Sequence, residues 1–308
     1  MPKIPRVTPT QFRWFALADF VAMILIVLSG AAVRLTGSGL GCPDWPQCYH
    51  HTPAHAWNIH PVIEFTNRLL SGTFGVLTLA VVLAALARSP RRRDLTWLSL
   101  GLVLGVVGDA LLGEAVVYSK LNPWLVSVHM LISLAMVVLA ANLYHRSKYL
   151  YGPGTRAEVR DARLQPLAPL FAVLLTIVLV VGSATTGSGP HAGNSRGQDV
   201  ARRLPFALVN VAWAHSAVAT FFVGLVAMLF VILWRQGAPA KIRNGVRRLL
   251  IIGALQGVLG FVQFAVHLPA LLVELHVALA TSLTIGVTQF WLAQTGRDRE
   301  AGIGAPRS

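Results

Sequence analysis

Residues 206–234 read FALVNVAWAHSAVATFFVGLVAMLFVILW, a run without a single Asp, Glu, Lys or Arg. An α-helix needs about 20 apolar residues to cross the roughly 30 Å of hydrocarbon in a bilayer, so this run is long enough to span a membrane. Its one ionisable side chain is His215, which lies well inside the run. The stretch therefore predicts a transmembrane helix that carries a buried imidazole.

Seven further apolar stretches of similar length occur along the chain, near 14–34, 62–87, 95–117, 123–144, 166–186, 246–266 and 270–293. The chain is 55% hydrophobic and 12% charged, which is too apolar for a soluble protein of 308 residues. The first stretch runs on to Arg34 and lacks a small-residue cleavage site, so we expect it to remain as a helix rather than to be removed as a signal peptide. The sequence thus predicts an all-α integral membrane protein with eight transmembrane helices.

The formal charge of +14 is divided unequally between two sets of loops. Twenty Lys and Arg residues fall at the N-terminus, in the loops after spans 2, 4 and 6, and in the C-terminal tail, whereas five fall in the loops after spans 1, 3, 5 and 7. Cytoplasmic loops carry the excess of Lys and Arg, so both termini are predicted to be cytoplasmic. This distribution indicates a multi-pass plasma membrane protein surrounded by lipid, and it argues against a nucleic-acid-binding surface.

The chain also contains an internal repeat. The motif Thr-Gly-Ser-Gly follows the first span at 36–39 and returns after the fifth at 186–189, while His129 and His276 occupy matching positions in spans 4 and 8. Each half has four spans, an even number, so the two halves would have the same orientation in the membrane. We therefore predict two four-helix bundles related by a parallel repeat, with domains at 1–150 and 151–308.

The same offset aligns Asn67 in span 2 with His215 in span 6, so only the C-terminal half has a histidine pair, His215 and His276. An imidazole inside an apolar helix is costly unless it is hydrogen-bonded or bound to a metal. Two facing imidazoles in the core of a bundle, with small residues around them, suit a six-coordinate haem iron. A histidine that is hydrogen-bonded to a neighbouring helix is the plainer alternative for either residue.

The N-terminal half has His129 in span 4 and a polar set in span 2, namely Glu64, Asn67 and Arg68. Charged residues within an otherwise apolar span indicate a functional cavity. A structural ion pair between Glu64 and Arg68, which are spaced i to i+4, is the alternative. His60 lies one turn further outward and would extend the polar strip.

Other polar residues have weaker claims to a function. Asp109 and Glu114 lie inside span 3, where each would transfer protons, line the cavity or have a purely structural role. The remaining outer histidines lie in loops or at helix ends, where a solvated imidazole is ordinary: His50, His51, His55, His191 and His267.

Cys42 and Cys48 are the only cysteines in the chain. The predicted topology places both in the outward loop after the first span, in an oxidising compartment where a disulfide persists. We expect them to be bonded to each other. The bond would either clamp this loop over the first bundle or act as a redox-active pair.

Two motifs carry a resemblance to a known family. The run 33–48, VRLTGSGLGCPDWPQC, resembles the first outward loop of the haem A synthases, and 64–68, EFTNR, resembles their span 2 motif. His129, His215 and His276 fall where that family has histidines in spans 4, 6 and 8, and the resemblance extends over essentially the whole chain. It implies an oxidoreductase that converts the C8 methyl of haem O to the formyl group of haem A, through two successive hydroxylations and loss of water from a geminal diol.

The resemblance implies a different role for each half. His215 and His276 would hold a resident haem b that carries electrons, because a bis-histidine iron has no open position. The N-terminal bundle would receive the substrate haem O, with His129 and Glu64 as the catalytic residues. Haem O synthase and the assembly of terminal oxidases are the partners that this activity implies.

The substrate site departs from the family pattern at Asn67, where other members have a histidine. His129 is therefore expected to be the only strong iron ligand there, with Asn67 opposite it as a hydrogen-bonding group. Arg34 and Arg68 complete the expected substrate-binding set.

Two other classes of protein compete with this interpretation. A membrane cytochrome b, which transfers electrons without modifying a haem, would explain His215 and His276 but not Glu64 or the difference between the halves. A transporter is suggested by the repeat alone. No span has a Gly or Pro interruption at mid-membrane, and the polar residues cluster near the outer side, which argues against transport.

Overall fold

The computed structural model describes residues 6–42, 44–48, 59–148, 164–194 and 200–295. Within these ranges the chain forms eight α-helices: α1 (Pro9–Leu35), α2 (Ile59–Ala87), α3 (Arg93–Tyr118), α4 (Pro123–Ser147), α5 (Leu167–Ser188), α6 (Leu208–Arg235), α7 (Ala240–Ala265) and α8 (Ala270–Thr295). All eight are long and apolar enough to cross a membrane. The predicted all-helical membrane architecture is confirmed.

Two helices begin several residues before their predicted apolar segments. α1 begins at Pro9 because Thr8 forms a capping box with Gln11, in which Thr8 Oγ1 accepts from the Gln11 backbone N at 3.2 Å. α7 begins at Ala240, whereas its predicted apolar segment begins at 246. The first turns of this helix contain the basic residues Lys241, Arg243, Arg247 and Arg248, which interrupt the apolar pattern. An apolar segment marks only the part of a helix that lies in hydrocarbon. The first turns of α1 and α7 extend beyond that part.

Each half of the chain forms a ring of four helices. α1 and α3 each pack against α2 and α4, and α5 and α7 pack in the same way against α6 and α8. Contacts of α4 with α5 and α8, and of α1 with α8, join the two rings. The parallel orientation of the two halves and the cytoplasmic position of both termini stay predictions.

The apolar core of each ring lies mainly at one end. Buried core residues come from the first half of α3, α5 and α7 and from the second half of α2, α6 and α8, including Val81, Leu95, Phe171, Phe222, Val246 and Phe290. His129, His215 and His276 lie toward the opposite ends of their helices. The histidines therefore lie outside the main apolar core of each ring.

The turns between α3 and α4 and between α7 and α8 have the same unusual conformation. Lys120 and Leu121 have φ of 52° and 59°, and His267 and Leu268 have φ of 65° and 60°. Residues other than glycine are strained in this left-handed region by about 1–3 kcal/mol each. The spacing between the two turns equals the spacing between His129 and His276, so the shared geometry supports the predicted repeat.

The ends of the helices lie on two faces. On one face the Val7 backbone N donates to Ala87 O at 3.0 Å, and Arg92 donates to Arg146 O at 2.9 Å. On the other face the backbone N of Gly39 donates to Gly193 O at 3.0 Å, so the loops after α1 and α5 meet. The first face has most of the basic residues, as the charge bias requires of a cytoplasmic face.

The predicted topology can be tested with two variants that each add one free cysteine to the disulfide-bonded pair Cys42 and Cys48. Both Arg202→Cys, between α5 and α6, and Arg247→Cys, in the first turns of α7, change an exposed basic residue. A membrane-impermeant maleimide added to intact cells should label Arg202→Cys and leave Arg247→Cys unlabelled until the membrane is opened. The reverse labelling pattern would invert the topology.

Candidate functional site

The C-terminal ring brings its two histidines close together, with their ring planes inclined at 67°. His215 projects from α6 and His276 from α8, and the centres of their rings are 6.2 Å apart. Two imidazoles bound to one iron, each through a metal–nitrogen bond of about 2 Å, would have ring centres about 6 Å apart. The helices therefore hold the pair at the separation that one shared iron requires.

A glycine on the neighbouring helix lies beneath each ring. A methyl group added to Gly182 of α5 would lie 2.8 Å from Cε1 of His215, and one added to Gly260 of α7 would lie 3.1 Å from Cε1 of His276. The first distance is too short for any carbon side chain, so glycine makes the space in which the ring lies. The two glycines thus position the histidine pair.

The donor set of this pair fits a haem rather than a bare metal ion. In the described part of the chain, no group of three or more His, Cys, Asp or Glu side chains is placed to hold a metal ion. A haem supplies four nitrogen ligands of its own and needs only two from the protein. Nδ1 of His215 and Nδ1 of His276 are both buried without a hydrogen-bond partner, and a polar atom is costly to bury in this way unless its ring gains another interaction. The residues present therefore fit a haem iron.

The N-terminal ring places His129 against an acidic residue. Nδ1 of His129 on α4 lies 2.7 Å from Oδ1 of Asp109 on α3, and Ser133 Oγ donates to Oδ2 of the same carboxylate at 2.6 Å. A methyl group on Gly113, one turn further along α3, would lie 3.5 Å from Cε1 of His129. The ring therefore lies against α3 with Nδ1 beside the Asp109 carboxylate, and its side chain is 38% exposed.

Asn67 has a partner on α1. Its Nδ2 donates to Ser29 Oγ at 2.8 Å, and Ser29 Oγ donates to Ile26 O at 3.2 Å. This contact holds the Asn67 amide toward α1, and an amide is a much weaker iron ligand than an imidazole. At the two aligned positions, the N-terminal ring therefore has one imidazole, His129, where the C-terminal ring has two.

Glu64 and Arg68 form the ion pair that their spacing allows, and together they bind the loop after α1. Glu64 is 4% exposed, and its Oε2 accepts from the Cys42 backbone N at 2.8 Å. Arg68 pairs with Oε1 of Glu64 and donates to the backbone carbonyls of Asp44 and Gln47. The backbone of this loop thus supplies most of the hydrogen-bond partners of Glu64 and Arg68.

The loop is closed by the predicted Cys42–Cys48 disulfide, which the structure confirms. Both cysteines are buried, with exposures of 0% and 1%. Gly41 allows the loop to lie directly on the start of α2, because a methyl group there would be 2.7 Å from the carbonyl carbon of His60. The His60 ring nitrogen Nδ1 lies 3.0 Å from Ser38 Oγ, so the outer end of the polar strip also belongs to this loop.

Arg34 joins the two halves at the outer face. Its Nε donates to His191 O at 2.8 Å and its Nη2 to Thr186 O at 3.1 Å, while Nη1 is buried without a partner. His191, predicted to be an ordinary solvated histidine, has its own contact through Nε2, 2.7 Å from Leu268 O. Arg34 therefore combines a structural link with one guanidinium nitrogen left for a ligand.

Sequence reasoning left the role of Asp109 open and did not find the glycines beneath the rings. Asp109 and Gly113 are spaced i to i+4, which places them on one face of α3, and this spacing was visible in the sequence. It did not show which neighbouring helix that face meets. Gly182 had no such signal.

Comparisons with known proteins agree on one family. A family model described as cytochrome oxidase assembly protein, COX15-CtaA, matches residues 13–287. The chain is similar to the Heme A synthase of Shewanella oneidensis, with 30% identity over 194 residues, which are 58% of this chain and 56% of that protein. It is also similar to the Heme A synthase of Bacillus licheniformis, with 34% identity over 123 residues, 39% of this chain and 40% of that protein. The matched regions thus span about half the length of these relatives.

The glycine beneath His215 offers a test of the histidine geometry. Gly182→Ala should push the imidazole out of position, because overpacking of this kind costs about 1–3 kcal/mol. Absorbance of the purified protein should show less low-spin haem than the wild type. Gly224→Ala on α6 is the matched control, because a methyl group there meets nothing within 4 Å. Equal haem content in the two variants would contradict the proposed placement.

Proposed function

The chain belongs to the cytochrome oxidase assembly protein family, and from that membership we propose that it is a haem A synthase, a membrane oxidoreductase that converts haem O to haem A. The observation that carries the proposal is the family match over 13–287, which includes His129, His215 and His276. The substrate would be haem O, and the reaction would replace the methyl group at C8 with a formyl group. The product would supply the assembly of terminal oxidases.

In this proposal the C-terminal ring holds a resident haem b between His215 and His276. The ring separation of 6.2 Å and the glycine beneath each imidazole support this assignment. When bound, this group supplies one-electron transfer. The two histidines would be the protein's ligands to this group.

The N-terminal ring would bind the substrate haem through Nε2 of His129. Support comes from the contact between Nδ1 and Asp109, which leaves Nε2 as the nitrogen available to iron. Asn67 donates to Ser29 and so would leave the opposite side of the haem without a second strong ligand. The unpartnered Nη1 of Arg34 is suited to a propionate carboxylate of the substrate.

Glu64 would act beside the substrate as a positioning or catalytic carboxylate. Its contact with the Cys42 backbone N supports positioning, because it holds the disulfide loop at the start of α2. Arg68 would act with Glu64 on the same loop as well as on the substrate. The burial of Cys42 and Cys48 favours a clamp over a redox-active pair, since a buried disulfide is poorly accessible to thiol reagents.

The experiment that tests the activity is expression in a host that makes haem O but not haem A. Extracted haems are then identified by chromatography and mass. Haem A should accumulate with the wild-type chain and be absent from cells that carry the empty vector. Haem O alone in both would refute the proposed reaction.

The ligands of the resident haem are tested by His215→Ala and His276→Ala. Each change removes one of two strong-field axial ligands, so each should abolish the low-spin b-type spectrum of the purified protein. The two variants are controls for each other, because each leaves the other histidine in place. An unchanged low-spin spectrum in both would show that the haem is held elsewhere.

The substrate site is tested by His129→Ala and Glu64→Ala in the same host. Both should lose haem A formation and keep the b-type spectrum that depends on His215 and His276. Asn67→Ala should be milder, since loss of one buried hydrogen bond costs about 1–3 kcal/mol. Wild-type haem A yields from both His129→Ala and Glu64→Ala would show that this ring is only structural.

A further inference from the structure

His129 on α4 and His276 on α8 have different neighbours in the two rings. In the N-terminal ring, Nδ1 of His129 lies 2.7 Å from a carboxylate oxygen of Asp109. In the C-terminal ring, the repeat aligns Gln256 with Asp109, but Gln256 Nε2 donates to the backbone O of His276 at 3.1 Å. Of the two aligned histidines, His129 therefore lies against a carboxylate, whereas the residue aligned with that carboxylate contacts the backbone of His276.

The carboxylate of Asp109 is itself held in place. Ser133 Oγ donates to its Oδ2 at 2.6 Å, and Ser133 lies one turn along α4 from His129. The imidazole lies between Asp109 and Gly113 on the face of α3. One carboxylate oxygen is thus committed to Ser133, and the other is directed at Nδ1 of His129.

From this geometry we propose that Asp109 is the positioning residue for His129, fixing the tautomer that presents Nε2 to iron and making this imidazole a more electron-rich ligand than His276. An acceptor at Nδ1 keeps the ring proton there, which leaves the lone pair on Nε2. A carboxylate acceptor also raises the basicity of a metal-bound imidazole, as outer partners of metal ligands generally do. The inference rests on the proposed binding of haem O at His129.

The role of the negative charge separates this proposal from a purely structural one. Asp109→Asn keeps the size of the side chain and one oxygen acceptor, so it preserves the position of the ring. It removes the charge, which makes His129 a poorer electron donor and favours the reduced iron. A carboxylate that only supports the fold would leave the properties of the iron unchanged in this variant.

The test uses the full-length protein loaded with haem O, and it measures the reduction potential by spectroelectrochemical titration and the ferrous iron–histidine stretch by resonance Raman. Asp109→Asn should raise the potential of the haem O centre and lower the stretching frequency, without changing the centre held by His215 and His276. Asp109→Leu should weaken haem O binding by about 10–100-fold. Asp109→Glu should restore binding in part.

Glu114→Gln is the matched control, because it removes one negative charge from the same helix at a side chain that makes no contact with His129. It should leave both measurements at their wild-type values. If Asp109→Asn also leaves both unchanged, or if Glu114→Gln shifts them equally, the proposal is overturned. A failure of the proposed reaction is distinguishable, because neither measurement depends on haem A being formed.

Discussion

A polar side chain inside hydrocarbon must find its partner within the protein, and the positions of His129, His215 and His276 follow from this constraint. His129 meets Asp109, while His215 and His276 meet each other. The surrounding helices leave room for these contacts. Glycines on adjacent helices make room for the rings, and the large apolar side chains fill the opposite end of each ring of helices.

The same constraint explains the outer loop. Glu64 and Arg68 would be expensive in a lipid-facing helix, and neither is satisfied by the other alone. The backbone of the loop after α1 supplies the missing donors and acceptors at Cys42, Asp44 and Gln47. The disulfide holds that backbone in the shape that these contacts need, so the charged strip and the closed loop depend on each other.

The eight helices were predictable because each depends on the composition of its own segment. The disulfide was predictable because the topology places both cysteines in one outward loop, in an oxidising compartment. The asymmetry between the rings was also visible, as Asn67 aligned with His215. The contact between Asp109 and His129 was not, because it depends on how far α3 is rotated about its axis relative to α4. Arg34 was expected at the substrate, whereas two of its three guanidinium nitrogens bind the C-terminal half. A contact between Arg34 and the end of α5 in the other half leaves no periodic pattern in the sequence.

The packing of α4 against α8 has a consequence for the speed of the proposed reaction. These helices bear His129 and His276, one from each half, so in the proposed reaction an electron would have to pass between the two halves. Tunnelling weakens steeply with distance, so the packing of the helices that join the two rings would affect the rate of this transfer. A bulky residue placed between α4 and α8 would therefore slow the electron transfer.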